Sequence, residues 1–123
     1  MRRTENRAVI GAKGEQLAVD YLSQLGLRVV ARNWRCRYGE LDVIAADVTA
    51  CAVVFVEVKT RTGEQYGGVE QAVTAAKVRR LRRLAGLWLA QQHDSWASVR
   101  IDVIAIRMGR ERVPEITHIQ GVG

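Results

Sequence analysis

The sequence has 123 residues, which suffices for one domain with a real core and not for two. Hydrophobic residues make up 48% and charged residues 26%, the proportions of an ordinary globular protein. The net charge of +6 and the isoelectric point near 10.0 favour a polyanion as partner. A solvated basic surface without such a partner is the alternative.

No targeting, membrane or disulfide signal stands out in the sequence. Residues 1–14 lack the apolar centre of a signal peptide, and no apolar run approaches the ~20 residues of a membrane span. We therefore expect a cytoplasmic protein with no membrane partner. Cys36 and Cys51 have neither CxxC spacing nor a nearby histidine pair, which predicts reduced thiols. His93 and His118 are isolated and are interpreted as structural or exposed.

Hydrophobic periodicity and turn residues predict a helix, three strands, a long helix and one or two further strands. The predicted ranges are 13–25, 27–34, 40–46, 52–59, about 69–92, 99–107 and, more weakly, 113–119. No linker or repeat divides the chain, so residues 1–123 form a single domain in which about the first ten residues and the last few are frayed. The predicted fold class is α/β, with a mixed central β-sheet flanked by helices in the order α-β-β-β-α-β(-β).

The third predicted strand reads VVFVEVKT and is unusual in its charges. Side chains alternate between the two faces of a strand, so Val54, Val56 and Val58 share one apolar face. Glu57 and Lys59 share the other face, which begins apolar and then becomes charged. This pair is either a surface ion pair at the end of a strand or part of a functional site.

A hairpin between the second and third strands brings two acids together. If its tip lies at 48–51, opposed residue numbers sum to about 99 and Asp42 lies across from Glu57. Opposed Cβ atoms are about 4.5 to 5.5 Å apart, and like charges there are destabilising. A shared proton or a divalent cation can offset the repulsion, and oxygen ligands favour Mg²⁺ or Mn²⁺. Lys59 supplies a compensating cation that can orient water or stabilise a developing negative charge.

The first helix contributes a third acid. Glu15 falls on the flank of the apolar stripe formed by Ala18, Leu22 and Leu25, so it faces partly toward the core. A carboxylate in that position needs a partner. We therefore predict an acidic pocket that adds Glu15 to the two acids of the hairpin.

Three motifs together resemble the PD-(D/E)XK nuclease superfamily: GEQLA at 14–18, GELD at 39–42 and FVEVKTR at 55–61. The superfamily has the restriction-endonuclease-like fold. Within it the chain is similar to the bacterial YraN family over residues 11–106, and more distantly to the archaeal Holliday junction resolvases. Further shared motifs are RNW at 32–34, the basic helix around Lys77 and RIDV at 100–103. Leu41 replaces the proline that precedes the first aspartate in the superfamily, a change that removes no ligand.

The resemblance implies a metal-dependent nuclease that uses Mg²⁺ or Mn²⁺ and acts on nucleic acid, DNA above all and branched DNA in the resolvase case. Asp42 and Glu57 would hold the ion with the carbonyl of Val58, and Glu15 would bind it directly or through water. Lys59 would position the nucleophilic water at the scissile phosphate. A non-catalytic nucleic-acid-binding protein with the same fold is the alternative. A symmetric cut of a junction would require a homodimer.

The second predicted helix carries KVRRLRR, with five basic residues in seven. The residues predicted to bind nucleic acid are Lys77, Arg79, Arg80, Arg82 and Arg83, together with Arg61 at the end of the third strand. On a helical wheel Lys77 and Arg80 fall inside the apolar arc, which predicts that they border the anionic site. The other three arginines are expected to face solvent or phosphates, and a solvated helix face is the alternative.

A second aspartate arises because LDVIA at 41–45 recurs as IDVIA at 101–105. Asp102 has no ExK strand in the same register, so we predict a structural role in a pair with Arg100. The three tryptophans lack interleaved basic residues and are predicted to pack in the core: Trp34, Trp88 and Trp96.

Overall fold

A computed structural model describes residues 7–62, 73–109 and 113–123. Its elements are α1 (Arg7–Gln24), β1 (Arg28–Cys36), β2 (Gly39–Asp47), β3 (Ala52–Thr62), α2 (Ala75–Leu89), β4 (Ser98–Met108) and β5 (Glu115–Ile119). This order confirms the predicted α/β fold with its weaker last strand. The predicted glycine-containing loop at 63–68 and the predicted helix start at 69 lie outside the described residues.

The five strands form one mixed sheet in the order β1-β2-β3-β4-β5. β1, β2 and β3 are successive antiparallel neighbours, β3 and β4 are parallel, and β5 is antiparallel to β4. A parallel pair requires a long crossover connection, and α2 lies within the one that joins β3 to β4.

Two hydrophobic cores lie on opposite faces of the sheet because the side chains of β3 alternate. Val54 and Val56 pack with the Ala18 and Leu22 side chains of α1. The α2 core contains Phe55 of β3 and the three predicted core tryptophans, of which Trp88 is buried and the other two are partly buried. Each helix therefore covers one face of the sheet.

Three helix boundaries differ from the sequence prediction. α1 begins at Arg7, six residues before the predicted start, so the predicted frayed segment is helical from that point. Its end agrees, since Gly26 follows with a φ of 94° that favours glycine. α2 begins after Thr74, whose hydroxyl accepts the Lys77 N–H at 3.1 Å as an N-cap, and it ends at Leu89, three residues early. Within the described residues no helix is long and apolar enough to cross a membrane.

Asp102 is structural, as predicted. It is fully buried, and its carboxylate accepts two hydrogen bonds from Arg100 at 2.9 and 3.0 Å. His118 Nε2 lies 2.7 Å from the same carboxylate, and the Gly121 N–H donates to it at 3.0 Å. The Tyr21 hydroxyl lies 3.1 Å from His118 Nδ1, so this network joins α1, β4 and β5.

Gly14 allows α1 to approach the end of β3 closely. A Cβ built on Gly14 would overlap Thr60 Oγ1, at a separation that real Cβ atoms do not show, and would lie 3.0 Å from Thr60 Cβ. The absence of a side chain therefore sets the distance between α1 and β3. The next residue along α1 is Glu15, so the same approach positions that acid.

Candidate active site

The paired strands β2 and β3 have the predicted register. Their partners run from Asp47 and Ala52 to Val43 and Val56, so opposed residue numbers sum to 99. This ladder stops one step before Asp42. There the Val58 N–H donates to Asp42 Oδ2 at 2.8 Å, so a side-chain oxygen takes the place of a strand carbonyl.

An open cleft of about 530 Å³ lies at this end of β2 and β3. Glu15, Asp42, Lys59 and Arg61, all predicted site residues, line it. The remaining lining residues are Arg7, Ile10, Gly11, Val58, Thr60 and Thr62. The structure thus brings two of the three predicted acids, the predicted lysine and one predicted nucleic-acid contact into one cleft.

Asp42 is the acid of the cleft with the most strongly perturbed ionisation. Burial above all, together with the nearby charges of Glu57, Glu15 and Glu40, raises its pKa from 3.8 to about 7, although the hydrogen bond from Val58 acts against them. An acid in this position binds a proton near neutral pH unless a cation compensates its charge. A strongly perturbed acid in a cleft marks a candidate functional site.

Glu15 is also perturbed, by the same physical causes. Burial raises its pKa above the ordinary value, and the charge of Glu40 acts in the same direction. A hydrogen bond from Asn33 and the charge of Arg32 lower it. The pKa values of Glu15 and Asp42 are therefore both raised above their ordinary values, chiefly by burial.

Glu57 faces the other helix. Only 8% of the residue is exposed, and it is absent from the residues that line the cleft. Its Oε2 atom lies 3.9 Å from Lys77 Nζ and 3.7 Å from Arg80 Nη2. Lys77 and Arg80 thus lie beside one of the predicted site acids, as the helical wheel indicates. The pairing of β2 with β3 gave no indication of this positive charge, which α2 supplies to Glu57.

Lys59 carries an amine that loses its proton more easily than an ordinary lysine. Its contact with Lys77 lowers its pKa first, followed by burial and by the charges of Lys77 and Arg61, while Glu57 acts in the opposite direction. Neighbouring cations and burial both disfavour a second ammonium. The cleft therefore combines an acid with a raised pKa and an amine with a lowered one.

The two acids that line the cleft, together with Glu57 next to it in β3, suit a hard divalent cation in their chemistry but do not converge on one point. Carboxylate oxygens from Glu15, Asp42 and Glu57 are the ligands that Mg²⁺ and Mn²⁺ prefer. Across residues 7–62, 73–109 and 113–123, no three acidic, histidine or cysteine side chains converge at ligating distance. Glu57 Oε2 contacts Lys77 and Arg80 of α2 instead.

Sequence reasoning missed Asn33. Its φ of 52° is left-handed within β1, a conformation that asparagine tolerates better than most residues. With its amide nitrogen turned toward the acids, it donates to Glu15 Oε1 at 3.0 Å and to Glu40 Oε2 at 3.3 Å. Arg35 Nε lies 3.6 Å from the other Glu40 oxygen. Asn33 lies within the RNW motif, but a strand pattern gives no indication of a left-handed residue.

The other predicted nucleic-acid contacts differ in their surroundings. Arg79, Arg82 and Arg83 are exposed, as predicted. Arg82 Nη2 donates to the Gly123 carbonyl at 2.5 Å, and the Arg83 guanidinium lies 4.0 Å from the centre of the Tyr38 ring. Arg61 is exposed at the end of β3 and donates to the Thr60 carbonyl at 3.2 Å.

Comparison with known proteins finds relatives along the whole chain. A family model described as "Uncharacterised protein family UPF0102" matches residues 14–106. A UPF0102 protein of Mycolicibacterium vanbaalenii is 74% identical over 122 residues, which cover 99% of both chains. A UPF0102 protein of Mycobacterium avium is 68% identical over 98% of this chain and 94% of its own, and one of Mycobacterium tuberculosis is 64% identical over 98% and 97%. These matches confirm the resemblance to the YraN family.

Proposed function

The chain belongs to the uncharacterised protein family UPF0102, and we propose that it is a Mg²⁺- or Mn²⁺-dependent nuclease of the PD-(D/E)XK superfamily that hydrolyses phosphodiester bonds in DNA. The observation that carries the proposal is the partly buried Asp42 carboxyl, with a pKa of about 7, in the same cleft as Glu15 and Lys59. The superfamily motifs in β2 and β3 and the basic α2 support it further.

Asp42, Glu57 and Glu15 are the residues that would hold the ion. When bound, a divalent ion stabilises negative charge on the scissile phosphate and lowers the pKa of water. Asp42 must release its proton to become a ligand, so binding becomes stronger as the pH rises through about 7. To bind the ion as well, Glu57 would have to give up its contacts with Lys77 and Arg80 of α2.

Lys59 has the position and the ionisation to act on the attacking water. Its amine lies in the cleft and has a lowered pKa, so it can orient water as a donor and exchange a proton more readily than an ordinary lysine. Lys77 and Arg80, which contact Glu57, can stabilise charge on the phosphate. Arg61 and Arg7 at the wall of the cleft offer further contacts to flanking phosphates.

A non-catalytic nucleic-acid-binding protein is the second candidate. The contacts of Glu57 with Lys77 and Arg80 favour it, because they satisfy the carboxylate without a metal ion. In that case the acids would hold the basic residues of α2 in place and would not coordinate an ion.

The decisive experiment incubates purified protein with labelled duplex, single-stranded and branched DNA in Mg²⁺, Mn²⁺ or EDTA. We expect cleavage only with a divalent ion, and loss of cleavage in Asp42→Asn and Lys59→Ala. Arg28→Ala is the matched control. Arg28 is exposed at the first position of β1, far along the strand from Asn33, the β1 residue that contacts Glu15 in the cleft. DNA binding without cleavage under all conditions would support the binding protein instead.

A further inference from the structure

Tyr38 forms an exposed aromatic group beside two arginines. It lies in the turn between β1 and β2, and 44% of the residue is exposed. The Arg83 guanidinium of α2 lies 4.0 Å from the ring centre, and the Arg37 guanidinium lies 5.3 Å from it. This Tyr38 cluster, defined as Tyr38, Arg37 and Arg83, uses none of the residues that line the acidic cleft.

The two arginines keep their charge available. In the part of the chain that the structure describes, neither guanidinium has a carboxylate oxygen within 4.0 Å, whereas Arg35 nearby has Glu40. A guanidinium stacked on a ring keeps its N–H groups in its own plane, where they can donate to phosphate oxygens. The Tyr38 cluster thus combines a π surface with two donors for phosphate.

α2 connects the Tyr38 cluster to the candidate active site. Lys77 and Arg80 contact Glu57, and Arg83 follows at the same spacing of three residues. Six residues of an α-helix span about 9 Å, so the three cations form a ridge of that length. The turn packs on the same helix, since a Cβ built on Gly39 would lie 3.3 Å from the Leu84 side chain.

We propose that Tyr38 and Arg83 form a stacking site for an unpaired nucleobase, and that the preferred DNA substrate has a single-stranded segment beside the bond that is cut. The inference rests on the proposed function and names its substrate class. Stacking on aromatic rings and arginine planes is the usual way that proteins hold unpaired bases. In a blunt duplex the bases are paired within the helix and cannot reach such a site.

The test measures DNA binding in EDTA, where cleavage is absent. Wild type, Tyr38→Ala and Tyr38→Phe are titrated with a blunt duplex and with a duplex that carries a single-stranded overhang. We expect Tyr38→Ala to weaken overhang binding at least about fivefold and to leave blunt-duplex binding within about twofold, while Tyr38→Phe keeps the ring and the affinity. Val48→Ala is the matched control, because Val48 is an exposed residue in the turn at the other end of β2.

A second measurement does not depend on the folding of a variant. 2-Aminopurine placed in the overhang should lose fluorescence when wild-type protein binds, and the same probe within the blunt duplex should change little. If Tyr38→Ala binds both DNAs as wild type does, or weakens both equally, the stacking site is overturned while the proposed function stands. If wild-type protein binds neither DNA at any salt concentration, the proposed function fails as well.

Discussion

Asp42 makes the stability of the folded protein depend on pH. The unfolded chain releases the proton of this carboxyl near pH 3.8, whereas the folded protein keeps it to about pH 7. Between these values the folded state binds more protons, so its stability falls as the pH rises, and the contribution present below pH 3.8 is gone above about pH 7. The full contribution is about 4 kcal/mol without a bound cation.

Asp42→Asn should remove this dependence. The amide oxygen can still accept the Val58 N–H, but it carries no charge. In urea unfolding with EDTA, we expect the free energy of unfolding of Asp42→Asn to gain about 2 to 3 kcal/mol relative to wild type between pH 5 and pH 8. A difference between the two proteins that stays constant over this range would contradict the raised pKa.

Asn33 has two roles: its side-chain amide donates to Glu15, and its backbone adopts a left-handed conformation within β1. Two substitutions separate these roles. Asn33→Gly keeps the left-handed conformation and removes the amide, so we expect a change in unfolding free energy of about 1 kcal/mol or less. Asn33→Ala adds about 1 to 2 kcal/mol of left-handed strain. Both should raise the pKa of Glu15 further, because Asn33 lowers it. NMR titration of the Glu15 carboxyl measures that shift, and an unchanged pKa would exclude the contact.

At the scale of elements, the strands were the most predictable part of the chain. The alternation in VVFVEVKT and the turn after Asp47 determine both the strand β3 and its register with β2. The early start of α1 at Arg7 was missed because about the first ten residues were predicted to be frayed. The contacts of Glu57 could not be predicted from the strands alone, because they depend on how α2 packs on the sheet. The helical wheel had indicated only that Lys77 and Arg80 lie in the apolar arc of α2.

The close approach of α1 to β3 gives a prediction at the same scale. Gly14→Ala should lower the free energy of unfolding by about 1 to 3 kcal/mol, because the new methyl overlaps Thr60. Gly11→Ala in the same helix is the matched control, since no atom lies within 4 Å of its built Cβ, and it should stabilise by about 0.5 to 1 kcal/mol. Thr60→Ala should recover part of the stability that Gly14→Ala removes. Equal destabilisation by the two glycine substitutions would disprove the close approach.

Across the whole molecule, the sheet separates two sources of charge. α1 brings Glu15 to the cleft on one face, and α2 brings Lys77 and Arg80 to the other. These two cations contact Glu57, which follows the last paired residue of β3 in the ladder with β2. The acids and the basic helix could be predicted from sequence, since each lies in its own motif. Asn33 and Gly14 could not, because their roles depend on a left-handed φ and on an interatomic distance.

If the protein binds DNA as proposed, its net charge of +6 predicts that the affinity falls as the salt concentration rises. If binding to phosphates dominates, the logarithm of the association constant falls linearly with the logarithm of the salt concentration. Removing one side chain that binds a phosphate of duplex DNA should reduce the slope by about 0.9, so Arg79→Ala and Arg80→Ala should each flatten it by up to that amount. Arg28→Ala, on an exposed position at the start of β1, should leave the slope unchanged. Equal slopes for wild type and all three variants would show that Arg79 and Arg80 of α2 bind no phosphate and belong to a solvated helix face.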